Sequence, residues 1–199
     1  MINLPTSLTL LRVGLIPLLV VVFYLPWNWH YLAAAGIFAL AGFTDWADGY
    51  LARRLGQETR FGAFLDPVAD KLIVVVALVV LLQRQATPEF ALPTMIIIGR
   101  ELVISALREW MAELGQRAKV AVSGIGKVKT TLQMVAITAL LVFDRDGSFP
   151  VFNQVALGLL YGAALLTLWS MAIYLRAAWP EMLRAEPVPQ AEPPTDLRR

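Results

Sequence analysis

The sequence predicts an all-α fold, a polytopic integral membrane protein with six transmembrane helices. Hydrophobic residues make up 58% of the 199 residues and charged residues only 16%, and the mean hydropathy is +0.63. Such a composition is typical of membrane proteins and unlike that of a soluble domain. The apolar residues also fall into six runs, most of them close to the ~20 residues that a helix needs to cross a bilayer.

The six runs are separated by short polar, aromatic or proline-containing segments. The predicted helices cover approximately residues 8–25, 31–55, 66–82, 93–114, 129–143 and 151–174. The first helix, with Arg12 as its only charge and Pro17 as a candidate kink, is expected to be retained in the membrane. Residues 1–9 carry no positive charge, and no clear small-residue cleavage site precedes the next polar break, so the pattern of a signal peptide is missing.

Three connecting segments have recognisable features. Residues 27–31 form an aromatic belt of the kind found at membrane interfaces, in which His30 is expected to be an anchor rather than a metal ligand. Residues 83–92, which include Pro88, are predicted to turn at the opposite face from the chain's aspartate cluster. Residues 144–148 begin like a calcium loop but lack its remaining ligands, so they are predicted to form a turn.

One membrane domain is predicted for residues 1–180. The remaining residues, 181–199, are predicted to be a polar, proline-rich cytoplasmic tail without fixed structure. The chain contains no Cys, which excludes disulfides, thiolate metal sites and thiol nucleophiles. The net charge of +2 is small, so nucleic acid is not an expected partner.

The distribution of basic residues predicts the orientation. With six spans, both termini lie on the same side of the membrane as the connectors at 52–65 and 115–128. That side carries nearly all the Lys and Arg residues, whereas the other side carries only Arg84 and Arg145. Because basic loops stay on the cytoplasmic side, we expect both termini and the polar ends of the second and third helices to face the cytoplasm.

Four aspartates lie at those polar ends. Asp45 and Asp48 are three residues apart near the end of the second helix, and Asp66 and Asp70 are four apart at the start of the third. At these spacings each pair shares a helix face. The polar residues 53–60 can turn the chain back, so the two pairs are expected to meet.

Clustered carboxylates near lipid repel one another unless cations neutralise them. Since the only His lies elsewhere, the available ligands are hard oxygens, which suit Mg²⁺, Mn²⁺ or Ca²⁺ rather than a structural Zn²⁺. Four carboxylates are enough to hold two ions. The alternative is that these residues only cap helices at the membrane surface, because Asp66 followed by Pro67 matches an N-cap with Pro at N1.

The same stretch carries a resemblance to a known family. It contains the pattern Asp45-x2-Asp48-Gly49-x2-Ala52-Arg53-x8-Gly62-x3-Asp66-x3-Asp70. This pattern resembles, without departure, the signature of the CDP-alcohol phosphotransferases. The likeness covers about residues 3–174, and segments 60–71, 100–115 and 126–134 are most similar to bacterial members whose acceptor is glycerol 3-phosphate.

The resemblance implies an activity, cofactors and partners. The implied reaction moves a phosphatidyl group from CDP-diacylglycerol to glycerol 3-phosphate and releases CMP, with Mg²⁺ or Mn²⁺, two ions, as cofactor. The implied setting is a homodimer in the bacterial inner membrane with its active site at the cytoplasmic face. By position, Asp45, Asp48 and Asp66 are implied metal ligands, and Asp70 is implied to be both a ligand and the general base. The positions implied to bind CDP-diacylglycerol are Gly49, Ala52, Arg53 and Gly62.

The acceptor is an anion, so an enzyme that uses it needs basic groups besides the metals. The candidate residues are Arg100, Arg108, Lys127 and Lys129. Arg100 is costly in lipid and is expected to point into the bundle. The alternative is that these side chains form ion pairs with Glu101.

The first residues also resemble the start of the family, namely Asn3, Pro5, Thr6, Thr9 and Arg12. Two interpretations stay open for them, contact with the substrate or simple capping of the first helix by Thr6.

Three rival functions remain. The first is the same chemistry with another acceptor, such as phosphatidylglycerol, an inositol phosphate or serine. The second is transport of divalent cations, since carboxylates inside membranes also mark ion pathways. Against it, the aspartates cluster at one face and no second carboxylate layer crosses the bilayer. The third is a binding-only scaffold, which has no need for four aspartates in register.

Overall fold

The computed structural model describes residues 4–55, 60–113, 124–144, 147 and 149–184. Within these ranges it describes the backbone alone for residues 4–6, 46, 48–55, 60, 63, 124–127 and 181–184. The described residues form six helices and no strand, which confirms the all-α class. The helices are α1 (Leu4–Tyr24), α2 (His30–Leu55), α3 (Arg60–Arg84), α4 (Pro88–Glu113), α5 (Gly124–Val142) and α6 (Pro150–Arg184).

Each predicted helix corresponds to one observed helix, but several boundaries were wrong. Helix α3 begins at Arg60, six residues before the predicted start, so Asp66 and Pro67 lie inside it and the N-cap interpretation of Asp66 is wrong. A proline within a helix removes only its own hydrogen bond, and neighbouring helices compensate for that loss within a bilayer. Helix α4 begins at Pro88 rather than at Pro93, with a proline at the first helical position, where its missing N–H costs nothing.

Three further boundaries differ. Helix α1 starts at Leu4, four residues before the predicted start, so Thr6 lies inside the helix and the interpretation of Thr6 as its cap is wrong. Helix α5 starts at Gly124, five residues before the predicted start, and α6 continues through Pro180 to Arg184, ten residues past the predicted end. Of the predicted tail, residues 181–199, the first four belong to α6 and the rest lie outside the described residues.

Three of the described helices contain segments long and apolar enough to cross a membrane. They are Ser7–Tyr24, Pro88–Glu113 and Pro150–Pro180, and a shorter apolar segment covers Val128–Val142. These segments agree with the predicted membrane protein. The count of six spans stays a prediction.

The six described helices pack in a closed ring, of which α3 is a member. Helix α1 contacts α2 and α3, α2 contacts α5, α5 contacts α6, α6 contacts α4, and α4 contacts α3. Helix α3 also contacts α2 and α5, so it touches four of the other five helices. The main core contains buried side chains from every helix, including Leu19, Phe38, Leu78, Ile97 and Leu140.

This packing sorts polar side chains to the two ends of the bundle. We call the end of the bundle that contains Asp45, Asp66 and Asp70 the Asp end. It consists of the N-terminal halves of α1, α3 and α5 and the C-terminal halves of α2, α4 and α6. At the other end, Arg84 lies with its guanidinium 3.7 Å from the centre of the Tyr31 ring and 3.1 Å from Asp144 Oδ2, and it donates to the Leu141 carbonyl oxygen at 3.1 Å. Arg84 thus ties α3 to α2 and to the end of α5.

Candidate functional site at the Asp end

Arg12 connects the two halves of the aspartate stretch. It is the only charged residue of α1, and its side chain is completely buried. Its Nη1 donates to Asp70 Oδ1 on α3 and lies 3.3 Å from Asp45 Oδ1 on α2. One guanidinium therefore bridges carboxylates from two helices, which offsets their mutual repulsion.

Thr9 makes a second contact of the same kind. It is buried, lies three residues before Arg12 and so shares its face of α1, and its Oγ1 donates to Asp66 Oδ1. Asp66 and Asp70 share a face of α3 in the same way. We call Thr9, Arg12, Asp45, Asp66 and Asp70 the acidic cluster.

Thr9 and Arg12 belong to the segment that resembles the start of the family, but neither was predicted to contact the aspartates. The available signal was the charge itself, because a lone arginine in an apolar helix must find a partner inside the bundle. The sequence could not show that its partners lie on α2 and α3, more than thirty residues away along the chain.

The aspartates that Arg12 bridges remain partly exposed to solvent. The side chains of Asp45 and Asp70 are 50% and 41% exposed. Among the described side chains, no group of three Asp, Glu, His or Cys is close enough to hold a metal ion. The side chain of Asp48 lies outside that set. The oxygen-only donors that converge on Arg12 fit a hard divalent cation, and the four-aspartate ligand set stays a prediction.

The predicted nucleotide pocket is only partly within the described residues. Gly49, Ala52 and Arg53 belong to the last turns of α2, but their side-chain positions lie outside the described set. Gly62 is buried in the first turn of α3, four residues before Asp66. These four assignments stay predictions.

A second group of charges lies at the same end, between α4, α5 and α6. Glu101 Oε1 accepts from Arg100 Nη1 at 2.6 Å and from Lys129 Nζ at 3.1 Å. Arg100 Nη2 donates to Ser170 Oγ of α6 at 3.2 Å. We call Arg100, Glu101, Lys129 and Ser170 the basic cluster, because two cations share one carboxylate oxygen. The ion pairing with Glu101 that the sequence left open is therefore present for Arg100 and Lys129.

One polar chain joins the two clusters. Lys71, the residue after Asp70, donates through Nζ to Ser105 Oγ on α4 at 2.5 Å. Ser105 Oγ in turn donates to the Glu101 carbonyl oxygen at 2.5 Å. Glu101 of the basic cluster is thus one turn of α4 away from Ser105, the partner of Lys71.

The other two predicted acceptor residues are placed differently. Arg108 is exposed, with its guanidinium 5.7 Å from the centre of the Tyr174 ring of α6. At that distance a cation–π contact is possible. Lys127 belongs to the first turn of α5, and its side chain lies outside the described set.

Comparison with known proteins decides the family. The model of the CDP-alcohol phosphatidyltransferase family matches residues 2–173. The chain belongs to this family. That finding confirms the resemblance seen in the Asp45 to Asp70 pattern, and the matched segment contains both the acidic and the basic cluster.

Several curated members of the family are similar to the chain over nearly their whole length. Proteins from Salmonella choleraesuis, Shigella flexneri and Escherichia coli are each 56% identical to it over 181 residues, which is 91% of this chain and 97% of each relative. Each is named CDP-diacylglycerol–glycerol-3-phosphate 3-phosphatidyltransferase. The likeness of this family member to them therefore extends across every described helix.

Proposed function

We propose that this family member transfers the phosphatidyl group of CDP-diacylglycerol to the 1-hydroxyl of sn-glycerol 3-phosphate, with release of CMP and formation of phosphatidylglycerophosphate. The observation that carries the proposal is the 56% identity, over 91% of the chain, to relatives named for this reaction. The geometry supports it, because an acidic cluster suited to a cation-bound pyrophosphate lies beside a basic cluster suited to an anionic acceptor.

In this reaction the acceptor oxygen forms a bond to the phosphorus of the phosphatidyl group while the bond from that phosphorus to the CMP oxygen breaks. We assign Asp70 as the base that accepts the hydroxyl proton, since its side chain is 41% exposed and so within reach of a substrate. Arg12 holds Asp70 in place through its guanidinium, and Thr9 holds Asp66.

The metal site is part of the proposal. Asp45, Asp48, Asp66 and Asp70 would hold Mg²⁺ or Mn²⁺, and two such ions would neutralise the pyrophosphate and stabilise the departing CMP oxygen. Gly49, Ala52, Arg53 and Gly62 would line the nucleotide and pyrophosphate pocket, where the small residues leave room and Arg53 pairs with phosphate.

For the acceptor, we propose Arg100 and Lys129 as the main phosphate ligands, with Arg108 and Lys127 nearby. Glycerol 3-phosphate carries close to two negative charges at neutral pH, and the basic cluster offers two buried cations to match them.

The proposed setting follows from the same arrangement. Six spans would place the Asp end at the cytoplasmic face of the bacterial inner membrane, so that the diacylglycerol tails of the donor stay in lipid while its phosphates reach the acidic cluster. We also propose a homodimer, which crosslinking and mass measurement in detergent would test.

The decisive experiment measures CMP release by the purified protein in detergent. CDP-diacylglycerol and Mg²⁺ or Mn²⁺ are supplied with glycerol 3-phosphate, an inositol phosphate or serine, with and without EDTA. We expect metal-dependent release with glycerol 3-phosphate only. Release with another alcohol would overturn the acceptor and keep the chemistry, whereas no release from folded protein would favour the cation-transport hypothesis.

A further inference from the structure

The basic cluster is incompletely neutralised. Arg100 and Lys129 are almost completely buried, with side chains 8% and 5% exposed, yet both pair with a single oxygen of Glu101. Arg100 Nε is buried and has no hydrogen-bond partner. Among the side chains that the structure describes, two buried cations share one carboxylate and one N–H donor is unused, so charge and hydrogen bonding are both unsatisfied, which is costly away from water.

A phosphate monoester satisfies such a cluster better than a carboxylate does. It carries about −1.5 to −2 charges at pH 7 and three acceptor oxygens, compared with one charge on Glu101. Three terminal oxygens can pair with Lys129 Nζ, with Arg100 Nη1 and with the free Arg100 Nε at the same time. The cluster therefore matches a dianionic phosphate. The Glu101 carboxylate occupies part of the position that such a phosphate would take.

We propose that Glu101 is an internal anion that occupies the acceptor-phosphate site in the free enzyme and is displaced when the acceptor binds. The inference rests on the proposed function and deepens it, because it makes Glu101 the residue that sets selectivity for the acceptor. A neutral or singly charged alcohol cannot outcompete a tethered carboxylate for two cations. A dianionic phosphate can do so.

The position of the cluster suits an acceptor of this size. Ser105, which receives the hydrogen bond from Lys71, lies four residues after Glu101, or about 6 Å along the axis of α4. A phosphate held by Arg100 and Lys129 would therefore lie about one turn of α4 from Ser105, the hydrogen-bond partner of Lys71.

The test compares KM values in Glu101→Gln and in the unaltered enzyme. The substitution keeps the shape of the side chain and removes its charge. We expect the KM for glycerol 3-phosphate to fall about 5- to 10-fold, the net contribution of one ordinary hydrogen bond, with the KM for CDP-diacylglycerol unchanged. Inhibition by inorganic phosphate should strengthen by a similar factor. Glu109→Gln is the matched control, since Glu109 is exposed on the same helix and should change neither value.

An unchanged or raised KM for glycerol 3-phosphate in folded Glu101→Gln protein would overturn the inference and make Glu101 a structural counter-ion. If that variant does not fold, Glu101→Asp, which keeps the charge but withdraws it by one methylene, should still lower the KM. An unchanged KM there would also contradict the proposal. A lack of CMP release by the unaltered enzyme with glycerol 3-phosphate would instead refute the proposed function itself.

Discussion

The guanidinium of Arg12 lies 3.3 Å from the carboxylate of Asp45, although Arg12 is near the start of α1 and Asp45 is near the end of α2. The first helix is therefore part of the candidate site. Since the same nitrogen donates to Asp70, the distance between α2 and α3 at this end depends on a side chain from α1.

Loss of Arg12 should therefore destabilise the bundle. Arg12→Gln leaves two neighbouring carboxylates without their shared cation. We expect a loss of about 1–3 kcal/mol of unfolding free energy, below the full value of a buried pair because both aspartates are about half exposed. Thermal unfolding in detergent measures it. Arg12→Lys should recover only part of the loss, because an ammonium lacks the forked donors of arginine. Arg108→Gln, at an exposed position, is the control, and an equal loss there would contradict the interpretation.

Isosteric removal of the acidic charges should stop turnover without unfolding the protein. Asp70→Asn and Asp66→Asn are expected to lower kcat for CMP release by about 100-fold or more, the usual contribution of a positioned base or charge in the site. Asp144→Asn, which lies at the opposite end beside Arg84, should keep turnover per folded molecule. Full turnover in either α3 variant would remove that residue from the proposed site.

The packing of α2 against α5 at Gly42 can be tested by the size of the side chain at that position. A methyl group on Gly42 would lie 2.5 Å from Met134 Cε, the flexible end of that side chain. Gly42→Ala should therefore be tolerated as Met134 moves aside. Gly42→Leu should destabilise the protein by about 1–3 kcal/mol through overpacking. Thermal unfolding of Gly42→Leu with Met134→Ala should show a partial rescue, and no rescue would place the strain elsewhere.

The orientation of the protein in the membrane can be measured with single introduced thiols, because the chain has no native Cys. Glu113→Cys at the end of α4 and Gly147→Cys before α6 place single thiols at exposed positions at opposite ends of the bundle. A membrane-impermeant maleimide should label the Gly147 variant in spheroplasts and the Glu113 variant only after permeabilisation. The reverse pattern would place the Asp end outside the cytoplasm.

The sequence best predicted the features that depend on one residue type or on one regular spacing of residues. Six apolar runs predicted the six described helices, and the pattern around the four aspartates predicted the family. Helix ends were less predictable. Pro67 indicated a helix start but lies in the second turn of α3, because packing against α1, α2 and α5 compensates for the missing hydrogen bond.

The sequence by itself determined the composition of this protein's site: carboxylates at fixed spacing, basic residues on the same side, and a family signature. Only the tertiary structure decided which charges meet. Arg12 pairs with aspartates more than thirty residues away, and Arg100 and Lys129 share one oxygen of Glu101. The physical reason is that a buried charge takes its partner from whichever helix packs against it. That neighbour is set by the packing of all six helices and not by local sequence.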